Sequence, residues 1–304
     1  DWAMPVRNVL QAPTGNWVQA LADVAVAVAV EKGVAAPVIG TATPEAKVIA
    51  ASMMSGERKA ILLGNAAAHH GKATSLLSLA NWVGEQVGAS VGFLTEAANT
   101  VGAQVAGALP GQNGLNAGQM LAGGLKAAIL LNNEPHFDSA AGVASKNNLG
   151  RCEMVVTLSP FKANMEFSDV LLPIAPFTET PGTFVNAEGR MQSFHAVVKP
   201  LGDTRPGWKV LRVLANLMNL PAFGYESIQE ILTHIQSTAA DPTVAGFIAG
   251  LSNACVVKPD MTACEVVPAV ANIYQLDGLV RRAPSLQMTA DARAAASRTL
   301  EATS

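Results

Sequence analysis

Apolar residues recur along this chain in regimes that change with position. Between Asn16 and Gly33, Trp17, Leu21, Val24 and Val28 fall at helical spacing, with Asn16 as a cap and Gly33 as a stop. The Val/Ala alternation from Val24 to Val30 also fits a strand, and the longer helical period is preferred. Thr43-Pro44-Glu45 sets a capping hydroxyl ahead of a proline at the first helical position, opening a second helix that ends near Ser55-Gly56. From Lys59 the pattern switches to short apolar runs separated by amphipathic stretches. Strands are predicted over Ala60–Gly64, Val91–Thr95, Ala127–Leu131, Met154–Leu158 and Val170–Leu172, and helices over Thr74–Val87, Gln119–Leu125 and Ser139–Ser145. Strands alternating with helices at this interval predict βαβ units: an α/β fold with a mostly parallel, doubly wound sheet covered on both faces.

The last of those strands leads into a corner. Pro173 cannot donate to a ladder, and Pro173, Pro176 and Pro181 keep the chain off regular structure until the turn pair Pro181-Gly182. Thr183–Val185 is β-branched and aromatic, and Asn186-Ala187-Glu188-Gly189 has turn composition. Phe194, Ala196 and Val198 alternate with His195, Val197 and Lys199, which predicts a hairpin carrying Glu179, Glu188 and Arg190. Beyond Pro200 the period is helical again. Pro206 opens a helix with Trp208, Leu211, Leu214, Leu217 and Met218 on one side, and Leu220-Pro221 ends it. Ile228, Ile231, Leu232 and Ile235 mark another, residues 273–286 show no strong period, and Asp291–Ala302 reads as a terminal helix. The expected organisation is a helical segment over 1–56 belonging to a larger upstream domain, a Rossmann-like α/β domain with its hairpin corner over 57–200, and a helical and irregular region over 201–304.

Charge narrows the function. Charged residues make up 14% of the 304 residues, with a formal net charge of −3, against about 25% in an average globular domain. Such a surface suits burial in a larger assembly, and the absence of a basic stripe sets nucleic-acid binding aside. The apolar balance raises the question of a membrane span, but the uncharged stretch Ala97–Leu125 holds seven glycines and Pro110, which rules out a continuous apolar helix of about 20 residues. No secretory signal pattern is visible. Cys152, Cys255 and Cys264 are the only cysteines. Their wide spacing supplies neither the roughly four thiolates of an iron–sulfur cluster nor a structural zinc site, so they read as ordinary thiols.

Loops after the strands of such a sheet are where ligands bind. The stretch from Ala66 to Thr74 comes near a phosphate-binding loop after a strand. It departs from that pattern twice, since Ala66 stands where glycine is wanted and Ala73 where a hydroxyl would hold magnesium. His69 and His70 are adjacent and do not share one face of a regular element. Asn132-Asn133-Glu134-Pro135-His136 follows the third strand as a capped turn or a contact loop. His195 and Asp169 have no serine or cysteine in an elbow, so nucleophilic catalysis has no support. Glu179 and Glu188 beside Arg190 read as ion-paired carboxylates. Arg281-Arg282 reads as a solvated pair or, at a partner surface, as a fork onto carboxylates.

The run Ser168-Asp-Val-Leu-Leu-Pro173, continued by Thr178-Glu-Thr-Pro-Gly-Thr-Phe-Val-Asn-Ala-Glu-Gly-Arg-Met-Gln192, resembles the corner shared by molybdopterin oxidoreductases and the large iron–sulfur G subunits of bacterial respiratory complex I, the NADH:quinone oxidoreductase. Enzymes of the first branch follow this corner with a strand-rich barrel that closes over the pterin, whereas the region from Leu201 to Ser304 reads as helical and irregular. Gly207-Trp-Lys-Val-Leu-Arg212, the stretch Tyr274–Gln287 and Glu96–Ala103 are similar to the complex I branch. That resemblance implies a scaffold in the peripheral arm, bound to its other subunits at the cytoplasmic face of the bacterial inner membrane, while electrons pass from NADH through iron–sulfur clusters to quinone, coupled to proton translocation. It implies no catalytic residue, metal ligand or cofactor in this chain. The clusters are expected in a cysteine-rich segment upstream of Asp1, as suits a chain cut from a larger protein. Asn65, Asn132, Glu179, Asn186, Glu188 and Arg190 are the candidates for lining a vestigial cofactor pocket. The alternative is a molybdopterin-dependent oxidoreductase resembling a formate dehydrogenase.

Overall fold

The computed structural model describes residues 5–238, 249, 251–264 and 273–294. The chain divides into two compact units. One comprises Asp1–Val101, Asn186–Gly189 and Ile248–Pro268; the other comprises Gly102–Val185, Arg190–Phe247 and Ala269–Ser304.

In the first unit, α1 (Trp17–Lys32) resolves the helix-or-strand ambiguity of its Val/Ala run. The alternation arises because α1 is buried on two sides: α2 (Pro44–Ser55) and a later helix, α4, both pack on it, so Val24, Ala25, Ala27, Val28 and Ala29 are all out of water. Gly33 ends α1 with a left-handed φ of 66°, its N–H returning to the carbonyls of Ala29 and Val30. Asn16 is the residue before the helix, but its side chain makes no capping bond. Thr43 does cap α2, accepting from the Ala46 N–H at 3.2 Å.

The strand β1 (Ala60–Leu63) follows, then the single turn α3 (Asn65–Ala68), α4 (Ala73–Val87) and β2 (Ser90–Phe93). β1 and β2 pair in parallel, Ala60 with Ser90 through Leu63 with Phe93. Leu76, Leu79, Val83 and Val87 on one face of α4 join the α1–α2 core. The close approach of α4 to its own return strand depends on Gly84, where a Cβ would lie 2.6 Å from Val91 Cγ2 and 3.1 Å from the Ala89 carbonyl oxygen.

α5 (Thr100–Val105) spans the division of the chain at Val101, and the second unit continues through α6 (Ala117–Leu121), β3 (Ala127–Leu131), α7 (Pro135–Asp138), α8 (Val143–Leu149), β4 (Met154–Ser159) and β5 (Val170–Pro173). β3, β4 and β5 form a parallel ladder in that order. The strands expected as one sheet therefore form two ladders, one in each unit, and the protein is α/β with parallel sheets and helices. α6 starts earlier than predicted because Asn116 and Gln119 form a reciprocal capping box. It also stops earlier, at Gly123 and Gly124, both with positive φ. The helix expected over Ser139–Ser145 begins only at Val143, after Gly142 with φ 50°, and runs on to Leu149; the short α7 precedes it, opened by Pro135 where the sequence predicts a capped turn or contact loop.

The corner then forms an antiparallel hairpin of β6 (Gly182–Val185) and β7 (Met191–Phe194). Its second strand lies earlier than the alternation of 194–198 predicts, because the Asn186–Gly189 turn closes tightly, the Gly189 N–H bonding to the Asn186 carbonyl at 2.9 Å. That register brings Phe194 edge-on to Phe184 with ring centroids 4.9 Å apart. The helices α9 (Gly207–Leu217) and α10 (Ile228–Ser237) occupy the predicted positions. Residues 273–287 fold as α11 (Ile273–Leu276), a 3-10 turn Val280–Arg282 and α12 (Pro284–Gln287). Of the predicted terminal helix, residues 291–294 are helical and the rest lie outside the described residues.

Adding one methyl group at the α4–β2 contact tests this packing. Gly84→Ala is expected to destabilise the protein by about 1–3 kcal/mol, as overpacking of a filled core does, read from urea denaturation midpoints.

Candidate functional site

The carboxyl ends of the parallel strands are the places to look for a site, and three loops there carry charge. In the first unit, the loop after β1 ends at Lys72, whose side chain is only 10% exposed. Its ammonium lies 3.2 Å from Asp260 Oδ2 and donates to Thr262 Oγ1 at 2.7 Å and to the carbonyls of Asp260 and Thr262. The lysine of a phosphate-binding loop reaches outward to its ligand; this one is held by its own chain.

The segment 251–264 that supplies those partners is fixed along α4. Ser78 Oγ donates to the Val257 carbonyl at 2.6 Å, Asn81 to the Asn253 carbonyl at 2.8 Å, and the Asp260 N–H to Ser75 Oγ at 3.0 Å. Hydrogen bonds from the Thr262 backbone and hydroxyl, then from Lys72, hold the Asp260 carboxyl below its ordinary pKa. The two neighbouring histidines diverge. His70 is buried against Trp17, its Nδ1 accepting the Lys72 N–H at 2.9 Å, which makes Nε2 the donor to the Thr14 carbonyl at 3.0 Å. His69 is exposed and meets Glu96 at 2.8 Å.

In the second unit, Asn132 ends β3 with φ 49° and donates its N–H to the Leu158 carbonyl at 2.7 Å. The chain then places Glu134 in a buried position, and the start of α7 is closed by Asp138 Oδ2, which accepts the Glu134 N–H at 2.6 Å. Arg281 Nη2 reaches Asp138 Oδ1 at 3.0 Å and Glu134 Oε1 at 3.3 Å, and Arg282 Nη1 reaches Glu134 Oε1 at 2.7 Å. The guanidinium of Arg281 lies over Phe137 at 4.7 Å and that of Arg282 over Phe161 at 4.2 Å. The arginine pair is therefore not the solvated pair that its local sequence predicts. Each guanidinium reaches carboxylates through one Nη atom, and those carboxylates belong to the same chain.

At the corner, Glu179 Oε2 accepts the Leu201 N–H at 3.0 Å. It borders an open cleft of about 740 Å³ shared with His195, Lys199, Arg205, Trp208 and Lys209. Of the six pocket candidates, Glu179 is the one that lines this cleft. Asn132 sits at the end of β3, and Arg190 is exposed at the start of β7. Asn65, Asn186 and Glu188 belong to the first unit. Asn65 is exposed on α3, its carbonyl accepting the His69 N–H at 2.9 Å, and Asn186 Oδ1 accepts the Glu188 N–H at 3.0 Å within the hairpin turn. Glu188 and Arg190 are both exposed, so the cost of a buried carboxylate does not arise at Glu188. The ion-paired residues Lys72, Glu134, Asp138, Asp260, Arg281 and Arg282 fall outside the six. Among the described residues no group of three or more His, Cys, Asp or Glu side chains is placed to hold a metal ion.

His136, between Glu134 and Asp138, gives a titratable readout of the β3 loop. Burial lowers its pKa from the ordinary 6.5; Glu134 opposes that shift, Lys146 and Arg281 add to it, and Asp138 opposes it. Because the unfolded chain binds the proton first, stability present above pH 6.5 is lost as the pH falls from there through the folded-state pKa. Urea midpoints measured between about pH 8 and pH 5 are expected to decline below that point, and His136→Gln is expected to flatten that part of the profile.

The family model described as "Molybdopterin oxidoreductase" matches residues 42–217, from the capped start of α2 to the end of α9. A protein of Staphylococcus aureus (strain MRSA252) named "Putative formate dehydrogenase" is 39% identical over 69 residues, which is 23% of this chain and 7% of that protein. Proteins of the same name in strains bovine RF122 / ET3-1 and USA300 are 39% and 36% identical over the same length. The matched stretch is thus a small part of the length of those relatives. Since the family model covers more than half of the sequence, on an α/β fold with parallel sheets, this chain belongs to the molybdopterin oxidoreductase family.

Proposed function

We propose that this chain is the α/β scaffold of an oxidoreductase subunit, the G subunit of a bacterial NADH:quinone oxidoreductase, and that it docks neighbouring subunits and holds no redox centre of its own. The observation that carries this reading is the commitment of Lys72: the cation best placed after β1 to meet a phosphate is bound to Asp260 and Thr262 of the same chain. The group that names the family is a pterin bearing phosphate, and an anion of that kind needs open N–H donors or cations at the strand ends. After β1 the lysine is already engaged, and after β3 the loop presents the carboxylates of Glu134 and Asp138, matched by arginines from the same chain. These strand-end residues do not fit a phosphate-bearing pterin.

In this reading the iron–sulfur clusters that carry electrons from NADH towards quinone lie outside these 304 residues, and the subunit sits at the cytoplasmic face of the inner membrane through its neighbours. Two features support the placement: the similarity of residues 207–212 and 274–287 to the G subunit family, and the sparse charge of 14%. Among the described residues no helix is long and apolar enough to cross a membrane. The similarity to the proteins named formate dehydrogenase favours a second reading, in which the parent protein is a molybdopterin-dependent enzyme acting on formate.

Purification of the intact protein from native membranes separates the two. The complex I reading expects it to co-purify with the other peripheral-arm subunits and with NADH:quinone reductase activity, and elemental analysis to find iron without stoichiometric molybdenum. Stoichiometric molybdenum with formate oxidation would establish the second reading in its place.

A further inference from the structure

We infer that residues 273–287 form a strap that the fold carries for itself, closing the carboxyl end of β3 and β4 with two guanidinium groups. The inference does not depend on which oxidoreductase the chain serves, so either can fail without the other.

The strap has its own internal order. Asp277 Oδ1 accepts the N–H groups of Leu279 and Val280 at 2.9 and 2.8 Å, which shapes the 3-10 turn Val280–Arg282. The Gln287 amide donates to the carbonyls of Tyr274 and Val280, each at 2.9 Å, tying the two ends of the segment together. The Arg281 and Arg282 side chains each return one donor to the segment, to the Gln275 carbonyl at 2.8 Å and the Gly278 carbonyl at 3.0 Å. What results is a knot of chain presenting two planar cations from one turn.

The surface receiving them is complementary in charge and in shape. Glu134 and Asp138 are 10% and 18% exposed, and together they match the two arginines charge for charge. Phe137, after β3, and Phe161, after β4, each lie against a guanidinium face, so the strap engages the loops of both strands. A lysine ammonium offers neither the fork nor the flat face. The carboxyl end of a parallel sheet is its ordinary ligand position; at β3 and β4 that position is taken by the chain's own residues, and the strap keeps other ligands from it.

Hydrogen exchange on the whole chain, read by mass spectrometry, tests the strap. Replacing Arg281 by Ala, alone and together with Arg282→Ala, is expected to raise exchange by about tenfold or more in 132–138 and in 273–287 alike, with the amides of α1 and α4 unchanged. Arg281→Lys is expected to resemble Arg281→Ala. Guanidinium chloride at low millimolar concentration is expected to restore protection in Arg281→Ala, and ammonium chloride at the same ionic strength to restore none. Glu134→Gln keeps the side-chain size and is expected to loosen 273–287 with an unchanged far-ultraviolet spectrum, which covers the case in which an arginine variant fails to fold. Parent-like protection of 132–138 in the double variant, or in Glu134→Gln an unloosened 273–287, would overturn the strap. So would equal restoration by the two salts.

Discussion

A carboxylate taken out of water needs a countercharge within reach, and this requirement shapes the second unit more than any other single constraint. Glu134 is buried at the carboxyl end of β3, where the chain leaves the sheet. Two arginines from the far end of the sequence meet that demand, Arg281 lying 143 positions from its partner Asp138. Removing one partner of an isolated buried pair costs about 3–5 kcal/mol; here Glu134 keeps one arginine when the other is removed, so the full cost is reached only when both are lost. The first unit uses the same logic with the sign reversed: Lys72, nearly buried after β1, is neutralised and hydrogen-bonded by Asp260 and Thr262. In both units the strand-end loop, the usual ligand position of an α/β sheet, is completed by a later stretch of the same chain.

This gives physical content to the proposal that a member of the molybdopterin oxidoreductase family serves as a scaffold. A strand end that binds a phosphate-bearing group keeps donors free and accepts the cost of holding them open; after β1 and β3 the cationic side chains of Lys72, Arg281 and Arg282 are spent on internal bonds. The parallel ladders, the helix packing of α1, α2 and α4 and the hairpin corner keep the architecture of the family.

Much of the frame was legible in the sequence because it is set by local rules. Gly33 stops α1 where positive φ is needed, Thr43 and Pro44 open α2, and the apolar runs at Ala127–Leu131 and Met154–Leu158 pair as parallel neighbours. Local rules misplaced the second hairpin strand, since alternation over 194–198 says nothing about register and the four-residue turn fixes it at Met191–Phe194. They also started α8 four residues early, at Ser139, because the positive φ of Gly142 that delays it is a backbone angle rather than a hydrophobic period. The site was the least legible part. Glu134 and Arg281 carry no spacing signal that joins them, and Lys72 meets Thr262 across 190 positions. Of the residues singled out beforehand, Glu179 lines a cleft and Asn132 ends a strand, but the charge pairs that complete the strand ends are visible only when the chain is folded.

The central claim, that the cations at the ends of β1 and β3 are bound to their own chain, is tested most directly by the reactivity of Lys72. Limited acetylation of the native protein, quantified lysine by lysine by mass spectrometry, should find the Lys72 amine among the slowest to react, and Asp260→Asn should speed its modification while leaving the exposed lysines unchanged. Rapid modification of Lys72 in the native protein, at the rate of Lys199 or Lys258, would show an amine open to solvent and ligands and would contradict the account.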